Sequence, residues 1–543
     1  MADRAVTMGS LMTVIEPDHS NPPVQRTGAV VFCVLASIVI AGLLMLGLTG
    51  DGHGHGHEVE LEETVLVETE TGDIPEPGSI FEQTATTLGD TDANAKAAAH
   101  LPAFWGLGIL PFIILLGCIA ILPLVKFTEH WWHSNLSRYM LAMALALCTI
   151  IFYWLSEGYD SIGYVLNHAL LEEYVPFIIL LFSLYVISGG IHLRGDVPAS
   201  PWVNTSFLAI GFAIASFIGT TGASMLLIRP LLKTNRERKY KVHTVVMFIF
   251  LVSNIGGTLL PIGDPPLFLG YLQGVPFFWT FNLWFEWLVA GIILLVVYYI
   301  WDTIQFKREA EVVRIFSKAN AQPLRIDGGI NFLWLLGVIA CVAFINPSNP
   351  LPFFEWTPFA FMRELCMVLL VLISLVLTSK SIREANQFDY HAIIEVAAIF
   401  IGIFITMQVP LDVLKANGEQ ITQIINEPWQ YFWITGGLSS VLDNAPTYLV
   451  FFKLAETGIS PEGTMMLMLL GGESIPVDLL VAISLGAVFL GAMTYIGNGP
   501  NFMVKAIAEQ AGVEMPSFFG FVFKYSIPVL VPVFIIITVL FLL

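Results

Sequence analysis

Charge is what this chain has least of. Only 12% of its 543 residues are Asp, Glu, Lys or Arg, against about a quarter in soluble domains. That scarcity excludes an ordinary water-soluble fold. Basic residues are scarcer still, 24 Lys and Arg against 43 Asp and Glu, which excludes a nucleic-acid partner. The five cysteines, Cys33, Cys118, Cys148, Cys341 and Cys366, all sit in apolar runs without CxxC spacing. A disulfide framework or thiolate metal centre is thereby excluded, and they read as buried apolar side chains. No HExxH lies on an apolar run, and no GxGD pair of the intramembrane-protease kind occurs. The chain is therefore read as a non-enzyme that needs no cofactor.

Apolar length is what the chain has in abundance. Hydrophobic residues make up 56% of it, in runs of roughly 18–25 residues, the length that spans a bilayer. The runs are continuous rather than alternating, so helices and not a barrel satisfy the backbone in lipid. The expected fold is an all-α polytopic membrane protein. A cytoplasmic lead, 1–26, precedes a first transmembrane helix at 27–49, read as retained rather than cleaved as a signal peptide. An external segment follows at 50–100. Residues 51–100 hold twelve Asp/Glu and one Lys. Its DGHGHGHE run carries His53, His55 and His57; alternating Gly-His can bind divalent metals, but a solvated acidic linker is the favoured reading and no metal centre is assigned.

Further spans are expected near 103–125, 138–156, 174–192, 284–301, 330–346, 363–378, 391–408 and 524–543. Four other apolar segments interrupt themselves. The segments 203–228 (GTTGAS) and 431–452 (SSVLDNAPT) read as re-entrant hairpins. Those at 243–273 (SNIGGTLLPIGDPP) and 479–511 (GAMTYIGNGPN) read as broken helices. With a cytoplasmic N-terminus this makes eleven crossings plus two hairpins. Only Lys96, Arg363, Lys415 and Lys453, four of 24 basic residues, then fall outside, as the positive-inside rule asks. The matched interruptions define two repeats, 101–302 and 330–543, joined by a cytoplasmic linker at 303–329. They begin on opposite sides, so the repeat is inverted, an arrangement that puts a transporter's site near the midplane.

The breaks carry the chemistry. Gly256, Gly257, Pro261, Gly263, Pro265 and Pro266 unwind the first broken helix; Gly497, Gly499 and Pro500 unwind the second, and Pro446 follows the second hairpin tip. Unwound backbone at membrane depth is tolerated only against protein or a polar cavity. Asp264, ahead of two prolines, is a good N-cap for the second half-helix, held ionised by backbone amides. It is also an intramembrane carboxylate, and so a candidate cation ligand or proton carrier. Asp443 and Asn444 at the second tip have the same two readings. Matching Ala223 with Ala445 sets Thr221 opposite Asp443; matching Ile262 with Ile496 sets Asp264 opposite Asn498. Ser253, Asn254, Thr258, Thr220, Thr221, Thr494, Asn498 and Asn501 add the neutral oxygens that hard alkali cations require. Glu395 is a third proton-carrier candidate, or an interfacial residue. Two carboxylates in a low-dielectric site cannot both stay charged without a partner. Na⁺ in one state and a proton in another would satisfy them.

On SNIGGTLLPIGDPP, SSVLDNAPTY and YIGNGPN, residues from about 100 to 543 resemble the ion-transporter superfamily, most closely NhaD-type sodium/proton antiporters. Arsenite permeases and the melanosomal P-protein family have similar signatures, and citrate and divalent-anion symporters are more distant. The resemblance implies an elevator-like transport domain moving against a scaffold that dimerises, here a homodimer in the inner (cytoplasmic) membrane. Ser253, Asn254, Gly256, Gly257 and Asp264 match the first motif; Asp443, Asn444 and Pro446 match the second hairpin; Asn498 and Asn501 match the second break. Dicarboxylate symporters typically carry Ser-Asn-Thr at the hairpin tips, whereas these tips read GTTGAS and LDNAPT. An Asp there would repel a carboxylate substrate. The expected function is Na⁺(Li⁺)/H⁺ antiport, with the bilayer, Na⁺ or Li⁺ and H⁺ as partners. A sodium-coupled anion transporter of citrate, dicarboxylate or arsenite type is the alternative.

Overall fold

Proline decides where several of the central helices begin. Pro201, Pro265, Pro428 and Pro500 each stand in the first turn of a helix, where the missing N–H costs nothing and the fixed φ is already helical. The computed structural model describes residues 104–132, 134–311, 322–346, 356–458 and 464–543. The expected first helix at 27–49, the acidic His-containing segment and part of the 303–329 linker lie outside the described residues.

Among the described residues, seven helices are long and apolar enough to cross a membrane: Asn135–Glu157, Tyr159–Ser188, Pro201–Ile218, Val242–Leu259, Phe277–Lys307, His391–Gly418 and Phe518–Leu542. Shorter apolar helices run Trp105–Ile121, Asn331–Phe344 and Val477–Met493. The chain is an all-α polytopic membrane protein. Large apolar side chains such as Phe127, Leu155 and Val376 are exposed on its outside, as a lipid-facing surface requires.

Eight helices build the centre. They are α1 (Pro201–Ile218), α2 (Thr220–Thr234), α3 (Val242–Leu251), α4 (Pro265–Leu272), α5 (Pro428–Ser439), α6 (Asn444–Thr457), α7 (Val477–Leu490) and α8 (Gly499–Gln510). The first pair turns at Gly219, whose φ of 76° suits glycine, and α2 packs against α1. Likewise α5 packs against α6 across Ser440–Asp443. Between α3 and α4 the chain unwinds through a short tight turn of helix, Ile255–Leu259. Between α7 and α8 it does the same through Gly491–Met493. The interruptions thus fall where glycine and proline placed them.

The two breaks are built alike. A Cβ on Gly263 would collide with the carbonyl of Gly257 six residues earlier, and a Cβ on Gly497 would lie 2.6 Å from the carbonyl oxygen of Gly491, again six earlier. The residue after each is extended: Asp264 at φ −144°, ψ 143° and Asn498 at φ −154°, ψ 139°. Glycine is required in both loops because backbone meets backbone there.

Two small sheets depart from the all-helical expectation. Strand β1 (His192–Asp196) pairs antiparallel with β2 (Gln322–Asp327), His192 opposite Asp327. Strand β3 (Met466–Met468) pairs antiparallel with β4 (Ser474–Pro476). Both join loops between helices and say little about membrane-embedded packing.

Candidate functional site

Asp264 stands at the N-cap of α4, yet its side chain caps nothing. Oδ1 accepts from Thr220 Oγ1 at 2.9 Å and from Asn498 Nδ2 at 2.9 Å, and Oδ2 accepts from Asn444 Nδ2 at 2.7 Å. This corrects the reading of Asp264 as a cap held by backbone amides. The extended backbone turns the carboxylate away from its own helix and toward three others. Thr220 is the first residue of α2, Asn444 the first of α6, and Asn498 the N-cap of α8. Four helix N-termini therefore converge on one carboxylate, and each carries a partial positive charge.

Asp264 is 1% exposed, and its charged neighbour is another carboxylate, Asp443, rather than a Lys, Arg or His. Asn444, fully buried, spends its amide N–H on Asp264 while its Oδ1 has no hydrogen-bond partner among the described residues. A buried acceptor left unmatched beside a carboxylate can take a hydrogen-bond donor or a cation, but not an anion.

Behind this cluster, asparagines tie the two breaks together. Asn498 Nδ2 also reaches the carbonyl of Ser253 at 3.2 Å and Asn254 Oδ1 at 3.3 Å. Asn254 Nδ2 donates to Asn501 Oδ1 at 2.7 Å and to the Ile249 carbonyl at 2.8 Å. Asn501 Nδ2 in turn satisfies the freed carbonyls of Gly491 and Thr494, both at 2.9 Å. Ser253 Oγ lies 2.8 Å from Ser224 Oγ, a partner that the sequence reading did not single out. Thr258 Oγ1 donates to the Ile255 carbonyl of its own loop, whereas Thr494 Oγ1 donates to the Ser440 carbonyl in the α5–α6 turn while accepting from Ile496 and Gly497 N–H. Neither touches Asp264.

Asp443 does act as a helix cap. Its Oδ1 accepts from Ala445 N at 3.2 Å. It borders a cavity of about 540 Å³ together with Thr220, Thr221, Asn498 and Pro500. Aligning helix starts pairs Thr220 with Asn444, not Thr221 with Asp443, so Thr221 faces the cavity while Thr220 holds Asp264. The cavity is also lined by Arg138, Arg229, Asp389, His391 and Glu395. Glu395 does not join the carboxylates at the breaks; it pairs with Arg138 Nη1 at 2.9 Å. Arg138 and Arg229 are the features here that the sequence reading assigned to no site; Arg229 opens a basic run that ends at Lys241.

Comparison with known proteins agrees with this architecture. Residues 99–542 match a family model described as "Putative citrate transport". No curated protein matches the chain. With a matched region that covers both breaks and both helix pairs, the chain belongs to this citrate-transport family, within the citrate transporter-like ion-transporter superfamily, and is a multi-pass membrane transporter.

Proposed function

We propose that the protein is a secondary active Na⁺(Li⁺)/H⁺ antiporter whose cation site is centred on Asp264. The observation that carries this reading is a buried carboxylate without a cationic partner among the described residues, next to the unmatched Oδ1 of Asn444. The four converging helix N-termini stabilise the negative charge that the protein itself supplies, and a cation or a proton completes it. Asp264, Asn444 Oδ1 and Thr220 offer oxygen, the ligand type that alkali cations take. Asp443 nearby adds a second charge, so the pair favours two positive charges, or one cation and one proton. Asn254, Asn498, Asn501, Ser253 and Thr221 set or border the site; Thr258 and Thr494 hold the loops.

The like construction of the two breaks supports inverted repeats at 101–302 and 330–543, with α1–α2 and α5–α6 as re-entrant hairpins and eleven crossings in all. On this reading α1–α8 form a transport domain that moves as an elevator against a dimeric scaffold in the inner membrane, with the N-terminus cytoplasmic.

A second reading, sodium-coupled anion transport, is favoured by the family description and by Arg229 and Arg138 in the cavity wall. It places the cation at Asp264 and the anion in the cavity, where Asp443 would repel a carboxylate. One experiment separates the two. Proteoliposomes with a trapped pH dye are given Na⁺, Li⁺, K⁺ or citrate. Na⁺-triggered proton movement that disappears in Asp264→Asn supports exchange. Citrate uptake that needs Na⁺ and is lost in Arg229→Ala, without Na⁺-triggered proton movement, would replace it.

A further inference from the structure

Glu173 lies in the middle of the 30-residue helix Tyr159–Ser188, away from the Asp264 cluster, and is 2% exposed. Its Oε1 accepts from Gln273 Nε2 at 2.9 Å and its Oε2 from Gln408 Nε2 at 3.1 Å. The nearest basic group in ion-pair reach is His168, with Nδ1 4.0 Å from Oε2. That Nδ1 is buried without a hydrogen-bond partner among the described residues, although the ring is 30% exposed. The stretch that carries both residues, Asn167–Tyr174, is wound as a π-helix, a form that concentrates at functional positions. A carboxyl group inside a span is costly, and retained where it works.

Its place in the fold connects it to the site. Gln273 is the C-cap of α4 and Asp264 its N-cap. A helix of eight residues is about 12 Å long, so α4 is a short rod with Asp264 at one end and the Glu173 clasp at the other. Gln408 opens the helix Gln408–Thr422. The clasp thus joins the far end of α4 to two other membrane helices. It also faces the opposite way from the cavity. Leu470 N, between β3 and β4, donates to the Gly274 carbonyl beside Gln273, whereas the cavity's Asp389 is tied by its carbonyl to Tyr185, close to β1.

Resting on the transport reading above, we propose that Glu173 is a second proton-binding site of the transport cycle, filled through His168 from the face that carries β3 and β4. Ionised, Glu173 accepts from both carboxamides. Protonated, its hydroxyl becomes a donor, one carboxamide must turn its oxygen inward, and the clasp on α4 slackens. The proton comes from bulk water by way of the imidazole and returns the same way, so no other reactant is needed. The titratable groups around it are His168 and Glu172 on its own stretch, Lys415 on Gln408–Thr422, and Lys453 on α6 with Glu456 and, beyond, Glu473. The α4 end contributes only neutral Gln273.

The test is the rate-against-pH curve of the full-length protein in proteoliposomes, for whichever solute it moves. A single-proton group gives a limb of about tenfold per pH unit. That limb is expected to vanish in Glu173→Gln and to return in Glu173→Asp. In Gln408→Leu the carboxylate loses a donor and the midpoint is expected to move up by roughly one unit. A wild-type curve in Glu173→Gln overturns the proposal. Should that variant not fold, an unmoved midpoint in Gln408→Leu overturns it equally. The antiport reading is judged separately, by whether wild-type proton movement requires Na⁺.

Discussion

Asn498 donates from Nδ2 to Asp264 Oδ1 over 2.9 Å, although the two residues are 234 positions apart and hold the same place in their two breaks. One break supplies the charge and the other the amide that orients it. Replacing Asn498 by Ala removes one of three donors to the carboxylate and strands Asn254 Oδ1. A hydrogen bond to a charged group contributes about 1.5–3 kcal/mol, so half-saturating Na⁺ in liposome assays is expected to rise roughly tenfold or more. An unchanged Na⁺ dependence would show that Asn498 serves only to pack the breaks.

The glycines make a sharper test, because one of them is predicted to be dispensable. Gly263→Ala drives a Cβ into the Gly257 carbonyl, and Gly497→Ala puts one 2.6 Å from the Gly491 carbonyl and 2.8 Å from that of Ser439. Backbone cannot yield as a side chain can, so each is expected to lose about 1–3 kcal/mol of stability and most transport. Gly499→Ala meets nothing within 4 Å and is expected to match wild type in melting temperature and rate. Equal damage from all three would undercut the account of why the breaks need glycine.

The breaks themselves were legible because Gly and Pro act locally, and so was the pairing of Asp264 with Asn498. What did not read was side-chain direction. Asp before Pro looks like a cap, but the cap geometry belongs to Asp443, and Asp264 turns to Thr220, Asn444 and Asn498 on distant segments. Matching Ala223 with Ala445 missed the true equivalence of Thr220 with Asn444 by two positions, since the helix starts, not the small residues, set the register. Glu173 in NHALLEEY was not singled out, as it falls one residue before the expected span 174–192 and its partners Gln273 and Gln408 lie 100 and 235 positions away. The short β1–β2 and β3–β4 pairs depend on loop contacts that no apolar period announces.

Glu395 provides a contrast to Asp264. Its carboxylate is 30% exposed and pairs with Arg138 at the cavity wall. A pair whose carboxylate still meets water contributes less than one buried on both sides. Glu395→Gln is therefore expected to keep Na⁺-dependent proton movement within about fivefold of wild type, while Asp264→Asn abolishes it. Loss of transport in both would return Glu395 to the set of proton carriers.

A last prediction concerns stability at the end of the bundle near α3. Asp302, fully buried, accepts from Arg238 Nη2 at 2.7 Å, from Arg238 Nη1 and Asn204 Nδ2 at 3.1 Å each, and lies 2.8 Å from His243 Nε2. These contacts pin the segment between α2 and α3 to the end of Phe277–Lys307, and so fix the entry of the broken helix. Asp302→Asn leaves the guanidinium of Arg238, itself 1% exposed, without its closest carboxylate. Breaking a buried pair from one side costs about 3–5 kcal/mol, so the melting temperature in detergent should fall clearly. Arg238→Gln combined with Asp302→Asn removes both charges and is expected to recover part of the loss, a coupling that a double-mutant cycle reads directly. If the double variant melts at the sum of the single losses, the two residues act independently and the cluster is not what holds α3 in place.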